Sequence, residues 1–382
     1  MKKIGILGCT GSIGKSALRV IEADEDLKPT LLANESDLTG LKKLIEKYNP
    51  DTAICVGHSY LYHNGKEFNF SDNPLNFEET YADTDIVVNG IGGIAGLLPT
   101  LAVIRAGKIL ATANKESFVS AGSIINSEKV KNNGVIYPLD SEHSAIWQLL
   151  QGQKTIKKVV LTASGGAFRD YSSERLKSAT SIDALKHPTW LMGKKVTVDC
   201  ATLMNKGMEI IEAKHFFGLP VDVIGHRESI VHAFVQFEDG TFHANMSYPD
   251  MVVPISYALH YSQNQNNKKL DSNKFIPKQI DLSELSSLNF FKLDEVRFPC
   301  LSLAKQVSEM GDRAGCVLNA ADEVLVNRYL KGEIGFYDIS TGISKALDKF
   351  AENGDFEDIN SVFRMDKAVR EYTLSIDFGG LR

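Results

Sequence analysis

The segment YPLDSEHSAI, residues 137–146, sets Asp140 and Glu142 two positions apart with His143 alongside. On an extended segment, residues two apart face the same side. Two carboxylates aimed at one point can share a proton or hold a hard divalent cation. The alternative is a solvated strand end. A third acid, Glu209, stands in DCATLMNKGMEIIEA, a few residues into a predicted helix that Asn205 and Lys206 precede. An amide, an ammonium and free backbone N–H groups at a helix start suit a phosphate, and a carboxylate one turn later could reach an adjacent cation. Taken singly, each acid is more often a solvated surface charge.

Three further segments carry chemistry-bearing residues. LTASGGAFRD ends a strand run with Ser164, Gly165 and Gly166, a turn able to offer a hydroxyl and amides to an anion. KHPTWLMGKK places His187, Trp190 and Met192 in a loop fixed by Pro188. A tryptophan there is most often core packing; its other use is as a lid that excludes water. ATANKES puts Asn114, Lys115 and Glu116 after a strand.

At the N-terminus, GILGCTGSIGKSALRV reads as strand, glycine turn and helix, with Gly8, Gly11 and Gly14 at three-residue steps. Glycine permits the tight turn and lets backbone amides approach a pyrophosphate at a helix N-terminus. The spacing is GxxGxxG, weaker as a pattern than GxGxxG, but its context is the one a dinucleotide site requires. Where the second strand should end stands Asn34-Glu35-Ser36-Asp37. An acid such as Glu35 accepts from an adenosine ribose hydroxyl and repels a 2′-phosphate, which read alone favours NAD; otherwise it faces water.

The elements that must position these residues follow a rhythm. The first 140 residues alternate β-branched runs (KIGILG, PTLLAN, TAICVG, DIVVNG, KILATAN, GVIYPLD) with helical patterns. This predicts an α/β, Rossmann-like dinucleotide-binding domain over 1–140. KKVVLTAS, VTVDC, VDVIGH and the hairpin-like SIVHAFVQFEDGTFHANMSY predict strands of a central α+β domain over 141–262. A polar stretch over 263–298 reads as a linker. From PCLSLAKQVSEM onward the spacing is helical, predicting a C-terminal helical domain over 299–382, with Pro299 in a first helical turn.

Bulk properties narrow the function. The chain has 382 residues, 43% of them hydrophobic, and a formal net charge of −6. That balance argues against a nucleic-acid or anionic-membrane partner, which needs a basic face, yet leaves room for a phosphorylated small molecule. No stretch reaches the roughly 20 apolar residues that span a bilayer. Five widely spaced cysteines make neither a disulfide framework nor a CxxC zinc site; reduced thiols in the cytoplasm are the expectation.

Together GCTGSIG, GLLPTLAVIRAGK, ANKES, PLDSEH, SGGAFR, HPTWLMG, ATLMNKGMEIIEA and LNAADE, in this order, closely resemble the 1-deoxy-D-xylulose 5-phosphate reductoisomerase family of the non-mevalonate isoprenoid pathway. The resemblance covers essentially the whole chain. It implies an NADPH domain, a catalytic domain with a lid near 186–195, a helical domain and a homodimer. It further implies that Asp140, Glu142 and Glu209 bind Mg²⁺ or Mn²⁺. Lys115, Asp140, Glu142 and Glu209 would carry the catalysis. Lys115, Ser141, Glu142, Ser164, His187, Trp190, Cys200, Asn205, Lys206 and Glu209 would contact the substrate, with Ser164, Asn205 and Lys206 around its phosphate. Thr10, Gly11, Ser12, Ile13, Asn114, Glu116 and Gly193 would contact NADPH. His232 falls on another position that the family keeps near the site. Two departures stand out. Cys200 occupies a position usually held by serine, and a thiol is a weak donor. The 34–37 loop lacks a lysine that favours the 2′-phosphate, which points to a relaxed nicotinamide preference. Rival readings are a metal-free dehydrogenase of a phosphorylated metabolite and a non-enzymatic nucleotide sensor.

Overall fold

A computed structural model of the chain describes residues 1–69, 77–152, 155–190, 192–264 and 277–379. These form two units. The first comprises Met1–Asn114, Ser127–Ser144 and Asp250–Gln279; the second comprises Lys115–Asn126, Ala145–Pro249 and Ile280–Arg382. The helices Lys115–Lys131 and Ser141–Leu149 are divided between them.

The first unit holds β1 (Lys2–Leu7), β2 (Leu27–Asn34), β3 (Thr52–Cys55), β4 (Tyr60–His63), β5 (Lys66–Asn69), β6 (Ile86–Asn89), β7 (Ile109–Thr112) and β8 (Val135–Pro138). Their order is β5-β4-β3-β2-β1-β6-β7-β8, with only β4 and β5 antiparallel to their neighbours. Strands buried on both faces read as continuous apolar runs, and Ile4, Ile6, Val87 and Val88 are fully enclosed. Chain order reverses between β1 and β6, the switch point outside whose strand ends open α/β sheets bind ligands. The helix Val252–Asn264 belongs to this unit, not to a 141–262 domain. Three contacts hold it: Lys2 Nζ donates to the Leu259 carbonyl (2.8 Å), Arg19 pairs with Asp250 (3.5 Å), and buried His260 Nε2 meets Asp24 Oδ2 (2.7 Å).

In the second unit β9 (Ile156–Ala163), β10 (Val221–His226), β11 (Val231–Phe237), β12 (Phe242–Met246) and β13 (Phe290–Phe291) run in the order β12-β11-β9-β10-β13. β9 and β10 are parallel; β11 and β12 are the expected hairpin, turning at Gly240 with φ +88°. The stretch expected as a 263–298 linker contributes β13, which pairs with β10; its residues 265–276 lie outside the described ones. The helices Pro299–Val307, Asp312–Leu330, Phe336–Phe350 and Ile359–Ser375 share one core with this sheet. Leu161, Phe168 and Val235 belong to the same cluster as Leu301, Val317, Ile343 and Val369, and the Phe168 and Phe336 rings meet edge-on at 5.2 Å. The C-terminal helical bundle therefore shares its core with this sheet. Its apolar faces are buried against the sheet's layer.

VTVDC is a second correction: it lies in the helix Lys194–Thr202. Its β-branched residues favour a strand only weakly. Here Thr197 Oγ1 donates back to the Gly193 carbonyl (2.9 Å), and Lys195 Nζ bonds Asp199 and Asp322 at 2.7 Å each. Among the described residues no helix is long and apolar enough to cross a membrane.

Candidate active site

In the first unit the glycine turn joins β1 to the helix Ser12–Glu22, with Gly11 as N-cap. Gly8 has φ +78°, and a Cβ there would lie 2.8 Å from the Gly90 carbonyl oxygen. A Cβ on Gly14 would sit 2.5 Å from both Cys9 Cα and the Gly8 oxygen. The turn thus packs against the end of β6, and side chains are excluded where backbone must approach. Thr10 and Ile13 are half-buried; Gly11 and Ser12 are exposed at the open helix end. Such an end, with unpaired amides and a positive dipole, is a pyrophosphate cradle. Asn34 ends β2, is buried, and donates to Thr10 Oγ1 (3.3 Å) and the Asp37 carbonyl (2.8 Å). Its Oδ1 has no hydrogen-bond partner among the described residues. Glu35 follows β2 as expected, exposed. The sequence reading passed over the second glycine-rich turn, Asn89–Gly93, although NGIGG carries the signal. Asn114 is buried, and its Nδ2 donates to the carbonyls of Ile91 (2.7 Å) and Gly93 (2.8 Å), so it braces that turn.

Asp140 and Glu142 sit at the C-terminal end of β8, where the chain enters the helix Ser141–Leu149. The extended geometry expected for the pair is not what forms. Asp140 Oδ1 accepts from the Glu142 amide (3.2 Å), and its carbonyl accepts from the Ser144 amide (2.8 Å), as a helix cap does. Glu142 lies in the first turn, and its Oε2 accepts from Ser141 Oγ (2.6 Å). Fully buried His143 has Nδ1 3.7 Å from Asp140 Oδ1. The helix N-terminus favours negative charge. Like-charge repulsion is therefore offset in part by the backbone alone.

The second unit holds a centre of opposite make-up. The helix Met204–Phe217 follows Leu203, a buried residue forced to φ 62° between two helices. Its first turns present Asn205, Lys206 and Glu209. Lys115, ninety residues earlier in sequence, donates to Asn205 Oδ1 (2.8 Å) and Glu209 Oε1 (3.1 Å). Asn205 Nδ2 donates to the same Oε1 (2.6 Å), and Lys206 Nζ pairs with Oε2. Lys115, Lys206 and Glu209 are all more than nine-tenths buried. Two ammonium groups flank this carboxylate away from water. That suits an anionic substrate and developing negative charge. Glu116, also buried, opens the helix that Lys115 starts.

Gly165 and Gly166 follow β9 with φ +83° and +67°. A Cβ on Gly166 would lie 2.3 Å from the Cys200 carbonyl oxygen, so this turn abuts the helix Lys194–Thr202. Ser164 Oγ accepts from the Gly166 amide (3.1 Å) and lies 3.1 Å from His187 Nε2. His187 Nδ1 takes the amides of Thr189 (3.2 Å) and Trp190 (2.9 Å), which fixes a neutral ring with its proton on Nε2. Burial, with the Arg169 charge behind it, pulls His187 down to about 4. Ser164 Oγ thus accepts twice, which leaves its own hydrogen to donate to a ligand. Trp190 is half-buried, its ring 6.2 Å from that of His232, whose Nε2 contacts Ser247 Oγ at 2.9 Å. Gly193 is exposed and caps the following helix; Leu191, inside the expected 186–195 lid, lies outside the described residues. Cys200 is half-buried, with its thiol pushed up by desolvation first and by Glu209 second.

A Rossmann-type strand order with a glycine cradle, and a lysine–carboxylate centre built for an anion, define a dinucleotide-dependent enzyme of phosphorylated metabolites. Comparison with known proteins is specific. The family profile "1-deoxy-D-xylulose 5-phosphate reductoisomerase" matches residues 4–122, that of its C-terminal domain residues 136–217, and "DXP reductoisomerase C-terminal domain" residues 246–372. The 1-deoxy-D-xylulose 5-phosphate reductoisomerase of Geobacillus sp. (strain WCH70) is 40% identical over 390 residues, covering 98% of this chain and 100% of the relative. That of Bacillus subtilis (strain 168) is 41% identical over 392 residues, with the same coverages. A crystal structure of DOX-P reductoisomerase in complex with NADPH, fosmidomycin and magnesium superposes with TM-score 0.86 at 32% identity, covering 98% of each chain. The enzyme from Zymomonas mobilis in complex with NADPH gives 0.82 at 29%, covering 98% of this chain and 100% of that one. The chain belongs to the 1-deoxy-D-xylulose 5-phosphate reductoisomerase family.

Proposed function

We propose that this protein converts 1-deoxy-D-xylulose 5-phosphate and NADPH to 2-C-methyl-D-erythritol 4-phosphate, by retro-aldol/aldol rearrangement followed by hydride reduction. The observation that carries this reading is the buried Lys115–Asn205–Lys206–Glu209 centre in a chain related to the family over its whole length.

In this reading Asp140, Glu142 and Glu209 hold one Mg²⁺ or Mn²⁺. All three offer hard carboxylate oxygens, the donor set these ions prefer. A cation held there supplies Lewis-acid polarisation of the substrate's carbonyl and adjacent hydroxyl. Lys115 donates to oxyanions that develop as the C–C bond breaks and reforms, and its contact with Glu209 keeps it oriented. Ser141 and Glu142 bind the sugar end. Ser164, Asn205 and Lys206 bind the phosphate, with His187 orienting Ser164. Trp190 closes over the substrate, which keeps the fragments from escaping between steps. Bound NADPH supplies the hydride and is held by Thr10, Gly11, Ser12, Ile13, Asn114, Glu116 and Gly193. The protein acts as a homodimer in the cytoplasm, where five unbridged cysteines suit a reducing medium.

The test is a spectrophotometric assay with the ketose phosphate, NADPH and Mg²⁺. Turnover is expected, abolished by chelator and restored by Mg²⁺ or Mn²⁺. Activity indifferent to chelation would instead favour the metal-free dehydrogenase, and a strong preference for NADH in the same assay would overturn the cofactor assignment. Cys200→Ser is expected to lower KM for the ketose phosphate about threefold to tenfold, because a hydroxyl donates where a thiol scarcely does. An unchanged KM would show that position 200 makes no such contact.

A further inference from the structure

Arg169 stands behind the turn of Ser164–Gly166, and so far enters only through its charge beside His187. β9 pairs with β10 as far as Ala163, so the Ser164 carbonyl lies just past the ladder. Arg169 Nη1 takes it up at 3.2 Å and also donates to the Arg227 carbonyl at 3.1 Å. The arginine stem lies on the glycine turn: a Cβ on Gly165 would come within 2.8 Å of Arg169 Cβ. The guanidinium is itself anchored. Asp170 Oδ2 lies 3.6 Å from Arg169 Nε, and Arg227 grips Asp170 in turn through Nη1 (3.0 Å) and Nη2 (2.5 Å). Arg297 Nη1 holds the following backbone through the Tyr171 carbonyl at 2.6 Å.

We propose that Arg169 is a positioning residue for the substrate's phosphate: it fixes the Ser164 peptide so that the hydroxyl points at the anion, and adds a positive charge behind it. The proposal rests on the reading in which Ser164 binds phosphate. Two physical consequences support it. A carbonyl bonded to a guanidinium turns its negative end away from an incoming anion, which an unbonded carbonyl at a strand end need not do. A fixed cation behind the turn also strengthens the field at the site without occupying it. The same charge favours the neutral His187 ring, leaving its Nε2–H to donate to Ser164.

The experiment uses the full-length enzyme with NADPH and Mg²⁺, and compares wild type with Arg169→Ala and Arg169→Lys. For Arg169→Ala, KM for the ketose phosphate and Kd for inorganic phosphate are expected to rise about tenfold to a hundredfold, the range for losing hydrogen bonds to a charged group. KM for NADPH, whose cradle lies in the other unit, stays unchanged, and kcat stays within about threefold. Arg169→Lys keeps charge and stem and shifts the same two constants by about threefold; it also serves if the alanine variant fails to fold. Folded variants with unaltered phosphate constants would overturn the proposal. So would a parallel rise in KM for NADPH, which marks a general structural defect. A wild type that does not turn over the ketose phosphate at all would instead remove the functional reading beneath it.

Discussion

Glu209→Gln is expected to lower kcat/KM by about a thousandfold, the scale for removing a principal electrostatic group from a preorganised site. The buried carboxylate has two duties in the proposed reaction. It would be one of the three carboxylates that hold the cation, and it balances Lys115 and Lys206, both bonded to it away from water. A glutamine keeps the shape and its amide oxygen can still accept hydrogen bonds, but its neutrality removes one negative charge from beside two buried ammonium groups. Breaking a buried pair in this way costs on the order of 3–5 kcal/mol, so the variant should also melt earlier. Titration with Mg²⁺ separates the duties: the concentration giving half-maximal activity should rise at least tenfold. A variant whose kcat/KM stayed within tenfold of wild type, with an unmoved metal requirement, would remove Glu209 from the centre.

Gly166→Ala should produce a large loss of stability from a single methyl group. The residue sits at φ +67°, and the added carbon would lie 2.3 Å from the Cys200 carbonyl oxygen and 2.8 Å from Ala201 Cα. Those are helix backbone atoms and cannot swing aside. The left-handed conformation adds about 1–2 kcal/mol for a residue with a Cβ, and overpacking adds about 1–3 kcal/mol. A total near 3 kcal/mol is expected by denaturant unfolding, with weaker binding of the ketose phosphate as the turn is displaced. Gly152→Ala is the control: its φ is +70°, but among the described residues no atom beyond its chain neighbours lies within 4 Å of the added carbon. It should show only the conformational cost, about 1 kcal/mol. Equal losses at the two positions would mean that the close approach to the helix carries no weight.

Features set by neighbours in sequence were legible. The glycine turn was readable because strand, turn and helix are contiguous, and Gly8 and Gly14 stand where geometry forbids a side chain. Asp239-Gly240 announced its hairpin for the same reason. Asp140 and Glu142 stand where a strand gives way to a helix, as their sequence context indicated, but not on an extended segment. Their pairing on an extended strand gave way to a helix cap, because the Asp140 carboxylate found the Glu142 amide. VTVDC, strand-like by composition, became helical once Lys195 could bond both Asp199 and Asp322.

By itself the sequence determined which groups are available, the order in which elements form, and, through eight matching segments, the family. Tertiary structure alone decided which groups meet. Lys115 reaches Asn205 and Glu209 across some ninety residues, and Arg169 finds the Ser164 and Arg227 carbonyls. The C-terminal helices, readable as helices, became part of the central core because Phe336 packs on Phe168. The reason is physical. Turns and caps are governed by bonds among adjacent residues, whereas burial and long-range pairing depend on which surfaces the packed chain brings together, and no local pattern encodes that choice.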